Sequence, residues 1–305
     1  MGNFKTEYYD RDGTKNKNGF KMKKKFKAVL IISLVINIIS IGYIGYTKRV
    51  GIKTRITNLL SSETVIEDSQ LQAMNNVFIP SFIDTCNNKT GEIFKILVIG
   101  NSLSIHAIAK DIGWNYFSGM AATSIEKDYV HLLFKKIENK LPNRNLNLRI
   151  SQFANFERNL ATLNPKSLDS LINYQPDLII FQLGENVSIQ NQKDENLFEE
   201  KYIELINSFK NNGNPMTICT TPFFPSLPKN EIVKKVALST NSYLVDLSHL
   251  PLLNTENYAK DEKNYSGDKS VWKVGGIGIH PGDIGMKNIA QQIFITVNAS
   301  IPDEK

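Results

Sequence analysis

Cysteine is almost missing from this 305-residue chain. The two present, Cys86 and Cys219, are too few for a disulfide framework, and no Cys/His cluster has the spacing of metal ligands. Cys86 falls in a polar stretch and Cys219 in the apolar run "MTICTT", so they are read as unpaired. No glycine-rich phosphate motif follows the first strand pattern, so neither nucleotide nor metal is implied, and no cofactor. There is no internal repeat. Positive charge is also missing where a nucleic-acid partner would need it. Residues 1 to 55 hold 13 Lys/Arg against three acids, leaving 23 basic against 27 acidic groups in the rest of a chain of net charge +6. A body without basic excess is poorly suited to a phosphate backbone, so nucleic acid is excluded as a partner.

What the chain does contain begins with one long uncharged run. Ala28 to Thr47, "AVLIISLVINIISIGYIGYT", has no charged residue, and as a helix it would span roughly 30 Å, the thickness of a bilayer's hydrocarbon core. Lys21, Lys23, Lys24, Lys25 and Lys27 precede it and Lys48, Arg49, Lys53 and Arg55 follow it. The positive-inside bias favours a cytoplasmic N-terminus, and "YIGYTKRVG" offers no small-residue cleavage site. The expected organisation is therefore a basic cytoplasmic tail (1–27), a single membrane span (28–47), a linker or stalk (48–93) with a short helix in its middle, and an extracytoplasmic catalytic domain (94–305).

From Phe94 onward short apolar runs alternate with amphipathic stretches. Strands are expected at Phe94 to Gly100, Leu146 to Phe153, Asp177 to Gly184, Met216 to Thr221 and Tyr243 to Leu247. Helices are expected at Ile125 to Lys140, Lys166 to Tyr174, Leu197 to Asn211, Glu231 to Thr240 and Asp283 to about Val297. Such alternation predicts an α/β fold, a three-layer α/β/α sandwich around a mainly parallel five-stranded sheet. Ligands sit beyond the carboxyl ends of the strands in such sheets.

Ser102, in "ILVIGNSLSIH", falls just past the end of the first of those strands. A serine hydroxyl needs a base to become a nucleophile. Of four histidines, His106 follows by four residues on what reads as the next helix, His131 sits in the helical "DYVHLLF" with a packing or surface role, and His249 follows the fifth strand. His280, in the glycine-rich "GGIGIHPGDIGM" before the last helix, is the best placed.

The segments "IGNSLS", "QLGEN" and "IHPGDIGM", in that order, resemble the SGNH hydrolases, also called the GDSL esterase and lipase family, over about residues 94 to 297. The resemblance implies a flavodoxin-like SGNH fold, Ser102 as nucleophile, His280 as base, and Asn186 with the Ser102 amide, on a helix N-terminus, as oxyanion donors. Two departures stand out. The family's second-block glycine has no counterpart in "SQFANFERN"; a main-chain amide from Ala154 to Phe156, with Phe156 the choice, would replace it. The family's Asp three residues before the His is here Ile277. Asp283 is the nearest acid, read either as the group orienting His280 or as the N-cap of the last helix; without it, Ser102 and His280 would act as a dyad. Trp114, Tyr116 and Met120 line an acyl or sugar pocket or belong to the core. Asp246 reads as structural, and Glu157 with Arg158 as an ion pair near the site. The run Ile112 to Leu133 resembles SGNH proteins of carbohydrate metabolism. The expected function is a membrane-anchored serine esterase removing an O-acetyl or other short acyl group from a glycan or small molecule. An O-acyltransferase on a cell-surface glycan and a catalytically inactive glycan-binding module remain open.

Overall fold

Residues 81–85, 92–160, 168–273 and 276–302, which the computed structural model describes, contain six strands in one sheet. These are β1 (Ser81–Thr85), β2 (Ile93–Gly100), β3 (Asn145–Gln152), β4 (Leu178–Gln182), β5 (Met216–Thr220) and β6 (Tyr243–Val245), ordered β1-β3-β2-β4-β5-β6. β1 runs antiparallel to β3, and every other neighbouring pair is parallel. The five parallel strands thus follow the order of flavodoxin-like sheets. Among the same residues the α-helices are α1 (Tyr129–Lys140), α2 (Ala154–Arg158), α3 (Asp169–Ile172), α4 (Gln192–Lys210), α5 (Leu227–Ser239), α6 (Leu250–Leu253) and α7 (Asp283–Ser300).

Strand geometry sends successive side chains to opposite faces, and both faces here are covered. Ile96 and Val98 of β2 and Ile180 of β4 meet Tyr129, Leu133 and Ile137 of α1 and Ile289, Ile293 and Val297 of α7. Those two helical sets recur every four residues and so form single stripes. Leu97 and Ile99 of β2 and Ile179 and Phe181 of β4 face the other layer, where Phe198, Tyr202, Leu205 and Phe209 of α4 and Val233 and Val236 of α5 close over them. Each such side chain withdrawn from water contributes about 2 kcal/mol. That is why β2 and β4 read as unbroken apolar runs rather than alternating ones.

Three expectations are corrected. The sheet has six strands, because Ser81–Thr85, inside the segment read as a linker, pairs with β3. α4 begins five residues earlier than its apolar pattern, where Asn191 accepts from the Lys193 and Asp194 amides as an N-cap. No α-helix follows Ser102 before α1. The expected span at 28–47, the stalk helix and Cys86 lie outside the described residues. Among the described residues no helix is long and apolar enough to cross a membrane, and Cys219 is buried with a free thiol.

The chain leaves β2 over one face, through α1 to β3, and leaves β3 over the other, through α2 and α3 to β4 on the opposite side of β2. The carboxyl end of β2 is thus a topological switch point, the place where such sheets open a crevice. Gly100 ends the strand there because nothing larger fits: a Cβ would lie 1.8 Å from Ser104 Oγ. Gly100→Ala is expected to destabilise the protein by about 2 kcal/mol through overpacking, read as a lowered midpoint in urea denaturation. An unchanged midpoint would contradict the close approach.

Candidate active site

Past Gly100 the chain makes a tight turn. The Asn101 carbonyl accepts from the Ser104 and Ile105 amides, each at 3.0 Å, and Asn101 Oδ1 accepts from the Leu103 amide at 3.1 Å. This turn sends its two serines opposite ways. Ser104 is buried and shares a 2.6 Å hydrogen bond with Tyr129 OH. Ser102 stays partly exposed, with its carbonyl braced by the Met120 amide at 2.7 Å. The Ser102 amide therefore belongs to a turn, not to the helix N-terminus expected from the sequence.

His280 reaches this serine from the far end of the chain. Its Nε2 lies 3.0 Å from Ser102 Oγ, and its Nδ1 lies 3.0 Å from the Gly276 carbonyl. A carbonyl only accepts, so Nδ1 carries the proton and Nε2 presents a lone pair to the serine. Gly276 has φ of +70°, a conformation glycine adopts without strain, and starts the 3₁₀ turn Ile277–Ile279 that brings the imidazole back over its carbonyl. His280 is 7% exposed, and its ring lies T-shaped to that of Phe224 at 5.5 Å between centroids. Burial lowers its pKa to about 4; the Gly276 bond opposes this, and the charge of nearby His106 adds to it.

Asp283 does not orient His280. Its carboxylate accepts from the Thr123 amide at 2.9 Å, Thr123 Oγ1 at 2.7 Å and Lys127 Nζ at 2.7 Å. Nor is it an N-cap: it is the first residue of α7, after Gly282. It ties the crossover before α1 to the helix behind His280.

The third loop leaves β4. Gly184, at φ +116°, turns the chain so that Glu185 and Asn186 face the neighbouring loops. Asn186 Nδ2 donates to Glu157 Oε2 at 2.6 Å, and Asn186 Oδ1 accepts from Arg158 Nη2 at 3.1 Å. Glu157 is 1% exposed, and its Oε1 also accepts from the Gly184 amide at 2.6 Å and from Asn101 Nδ2 at 3.2 Å. Burial raises its pKa while those donors hold it down. Glu157 and Arg158 thus converge on Asn186 instead of pairing with each other as expected.

Glu185 has no place in the sequence reading, although an acid three residues past a fully buried strand is conspicuous. It accepts from the Phe223 amide at 2.6 Å, the Phe224 amide at 3.2 Å and Gln182 Nε2 at 3.1 Å. Burial raises its pKa to about 8, the Phe223 and Phe224 amides oppose the rise, and the Glu157 charge adds to it.

The remaining candidates separate clearly. The side chain of Phe156 is buried edge-on against Phe153, so only its main chain is free for a part in chemistry; it lies in the first turn of α2, whose amides have no carbonyl partner within the helix. Trp114 and Met120 are buried with Tyr265 and Ile277 in a third apolar cluster, which is the core alternative of the sequence reading. Tyr116 is exposed, edge-on to Trp114 at 5.2 Å. His131 bonds Asp128, the N-cap of α1, at 2.8 Å. Asp246 accepts from Thr221 and Ser248, a structural role as expected. His106 Nδ1 lies 2.6 Å from the Ala107 carbonyl.

No protein-family model matches the chain, and no curated protein matches it in sequence. Among solved structures it is similar to a lipase/acylhydrolase from Enterococcus faecalis, at 15% identity over 70% of this chain and 99% of that one, with a TM-score of 0.43. It is also similar to an acetyl xylan esterase from the rumen bacterium Butyrivibrio proteoclasticus (14% identity, 70% of this chain, 64% of that one, TM-score 0.42). A family two carbohydrate esterase from Clostridium thermocellum is matched at 14% identity over 68% of this chain and 64% of that one, with a TM-score of 0.41. At these values the chemistry of this chain rests on its own side chains.

The buried imidazole couples proton binding to folding. Its pKa of about 4 lies below the ordinary 6.5, so between those pH values the unfolded chain binds a proton that the folded chain refuses. Stability is therefore expected to fall as pH drops from about 6.5 to about 4, by on the order of 3 kcal/mol from this group. Urea denaturation of wild type and His280→Gln across that range checks it; the variant should lose this part of the slope, and equal slopes would refute the assignment.

Proposed function

We propose that this chain is an ester hydrolase of the SGNH type that removes a short acyl group, such as O-acetyl, from a carbohydrate hydroxyl. The observation carrying the reading is the 3.0 Å contact between Ser102 Oγ and the unprotonated Nε2 of a buried His280. His280 takes the hydroxyl proton as Oγ attacks the ester carbonyl carbon, giving a tetrahedral oxyanion. The Asn186 amide and the Ser102 main-chain N–H are assigned to that oxyanion, each worth about 3 kcal/mol where donors are fixed in advance. His280 then gives its proton to the departing alkoxide, leaving an acyl-Ser102 ester. Water attacks that ester with His280 again as base, releasing the carboxylic acid and the free serine.

The missing family Asp does not argue for an inactive binding module, because Gly276 supplies the partner that Nδ1 requires. A carbohydrate as carrier of the ester rests on the resemblance of Ile112 to Leu133 to SGNH proteins of carbohydrate metabolism. The apolar run 28–47 motivates the remaining part of the proposal, a single-pass anchor with a cytoplasmic N-terminus and the domain outside. Protease treatment of intact and lysed cells carrying tags at both ends checks this: the C-terminal tag should be cut in intact cells and the N-terminal tag should survive.

Ser102→Ala and His280→Ala are each expected to lower p-nitrophenyl acetate hydrolysis by about 10³-fold or more, since the two groups act as one unit. Ser102→Ala should also abolish labelling by a fluorophosphonate probe. Wild-type rates in the Ser102→Ala protein would overturn the reading.

A further inference from the structure

An asparagine amide has two N–H donors and a carbonyl acceptor, and in Asn186 most of this capacity is already committed. Its Nδ2 donates to Glu157 and its Oδ1 accepts from Arg158, two consecutive residues of α2. We infer that Glu157 and Arg158 are positioning residues for the esterase reaction: they fix the flip of the Asn186 amide and leave one Nδ2–H for the substrate's carbonyl oxygen. The inference rests on the serine esterase reading and adds what orients its side-chain oxyanion donor.

The clamp is selective because its two halves differ in kind. Glu157 as a carboxylate only accepts, and the Arg158 guanidinium only donates. Turned over, the amide would set Oδ1 against a carboxylate oxygen and an NH₂ group against a guanidinium, so both contacts would be repulsive. Glu157 is itself immobilised. Its Oε1 accepts from the Gly184 amide and from Asn101 Nδ2, and Asn101 donates the same Nδ2 to the Gln182 carbonyl at 3.2 Å. Asn101 directly precedes Ser102 and Gly184 lies two residues before Asn186. One carboxylate therefore joins the nucleophile's loop to the oxyanion donor's loop while it orients the donor.

A strut that merely supported three loops would act independently of the Asn186 side chain, and this separates the two roles. The experiment compares full-length wild type with Asn186→Ala, Glu157→Gln, Arg158→Ala and the two double variants that combine the latter with Asn186→Ala, using p-nitrophenyl acetate. Asn186→Ala is expected to lower kcat about 10²-fold with KM little changed. Glu157→Gln, which presents an NH₂ where an acceptor is needed, should lower kcat about 10-fold, and Arg158→Ala about 3-fold, again at constant KM. In the Asn186→Ala background neither should slow the enzyme further by more than about twofold. Arg158 is exposed, so its pair of variants decides the matter should Glu157→Gln fail to fold. Single effects that multiply in the double variants, or an Arg158→Ala enzyme as fast as wild type, would overturn the inference while leaving the serine chemistry intact. An Asn186→Ala enzyme of wild-type rate beside an inactive Ser102→Ala would remove both the oxyanion assignment and this inference, but not the nucleophile.

Discussion

The hydrogen bond from His280 Nδ1 to a main-chain carbonyl is the constraint on which the site depends. It sets the tautomer, and only that tautomer leaves Nε2 unprotonated opposite Ser102. A carboxylate in the same place would do this and also add a full negative charge beside the imidazolium that forms during reaction. A carbonyl offers a dipole alone. The consequence is visible in the resting state, where burial pulls the imidazole pKa down to about 4 with no acid to resist it. Such an imidazole stays unprotonated well into mildly acidic solution, and in the proposed reaction it would be a weak proton acceptor.

What holds the three loops at their spacing is also polar. Glu157, in α2 just after β3, accepts from residues after β2 and β4, and Glu185, after β4, accepts from amides after β5. Removing a carboxylate from water costs several kcal/mol, while hydrogen bonds to charged groups contribute roughly 1.5 to 3 kcal/mol each. The donors collected by each acid are therefore what makes burial tolerable. The raised pKa values of both acids show that this compensation is partial. Glu185 also sets the place of Phe224, whose ring lies against His280, so both buried acids brace the site.

Much of the fold is legible because burial leaves a period. Both faces of β2 and β4 are covered, giving unbroken apolar runs, and the stripes on α1 and α7 recur every four residues. β1 escapes because "SFIDT" is five residues at the sheet edge, too short to stand out from the segment around it. α2 escapes for the same reason, being five residues without a capping side chain. At the site, Ser102 and His280 follow from residue type and loop position. Gly276 does not, because a main-chain acceptor has no residue-type signature. Asp283 misleads because nearness in sequence is not nearness in space: its carboxylate is engaged by Thr123 and Lys127, more than 150 residues upstream. The convergence of Glu157 and Arg158 on Asn186 depends on where β3 and β4 end, which no local pattern reports.

Ile277 explains why the acid is replaced rather than simply lost. It occupies the position where the resemblance expects Asp, yet it is fully buried in the apolar cluster with Trp114, Met120, Ala121, Ala259 and Tyr265. That cluster joins the crossover after Ser102 to the loop before His280, and the Met120 amide in it braces the Ser102 carbonyl. A carboxylate at 277 would enter this apolar environment, where burying a charge without compensating donors is costly. The side chain at 277, where the resemblance expects the orienting acid, instead packs the serine's loop against the histidine's loop. Orientation of the ring passes to the Gly276 carbonyl, and the same short turn, Gly276 to His280, supplies the proposed base, the acceptor for its Nδ1 and an apolar anchor against the serine's loop.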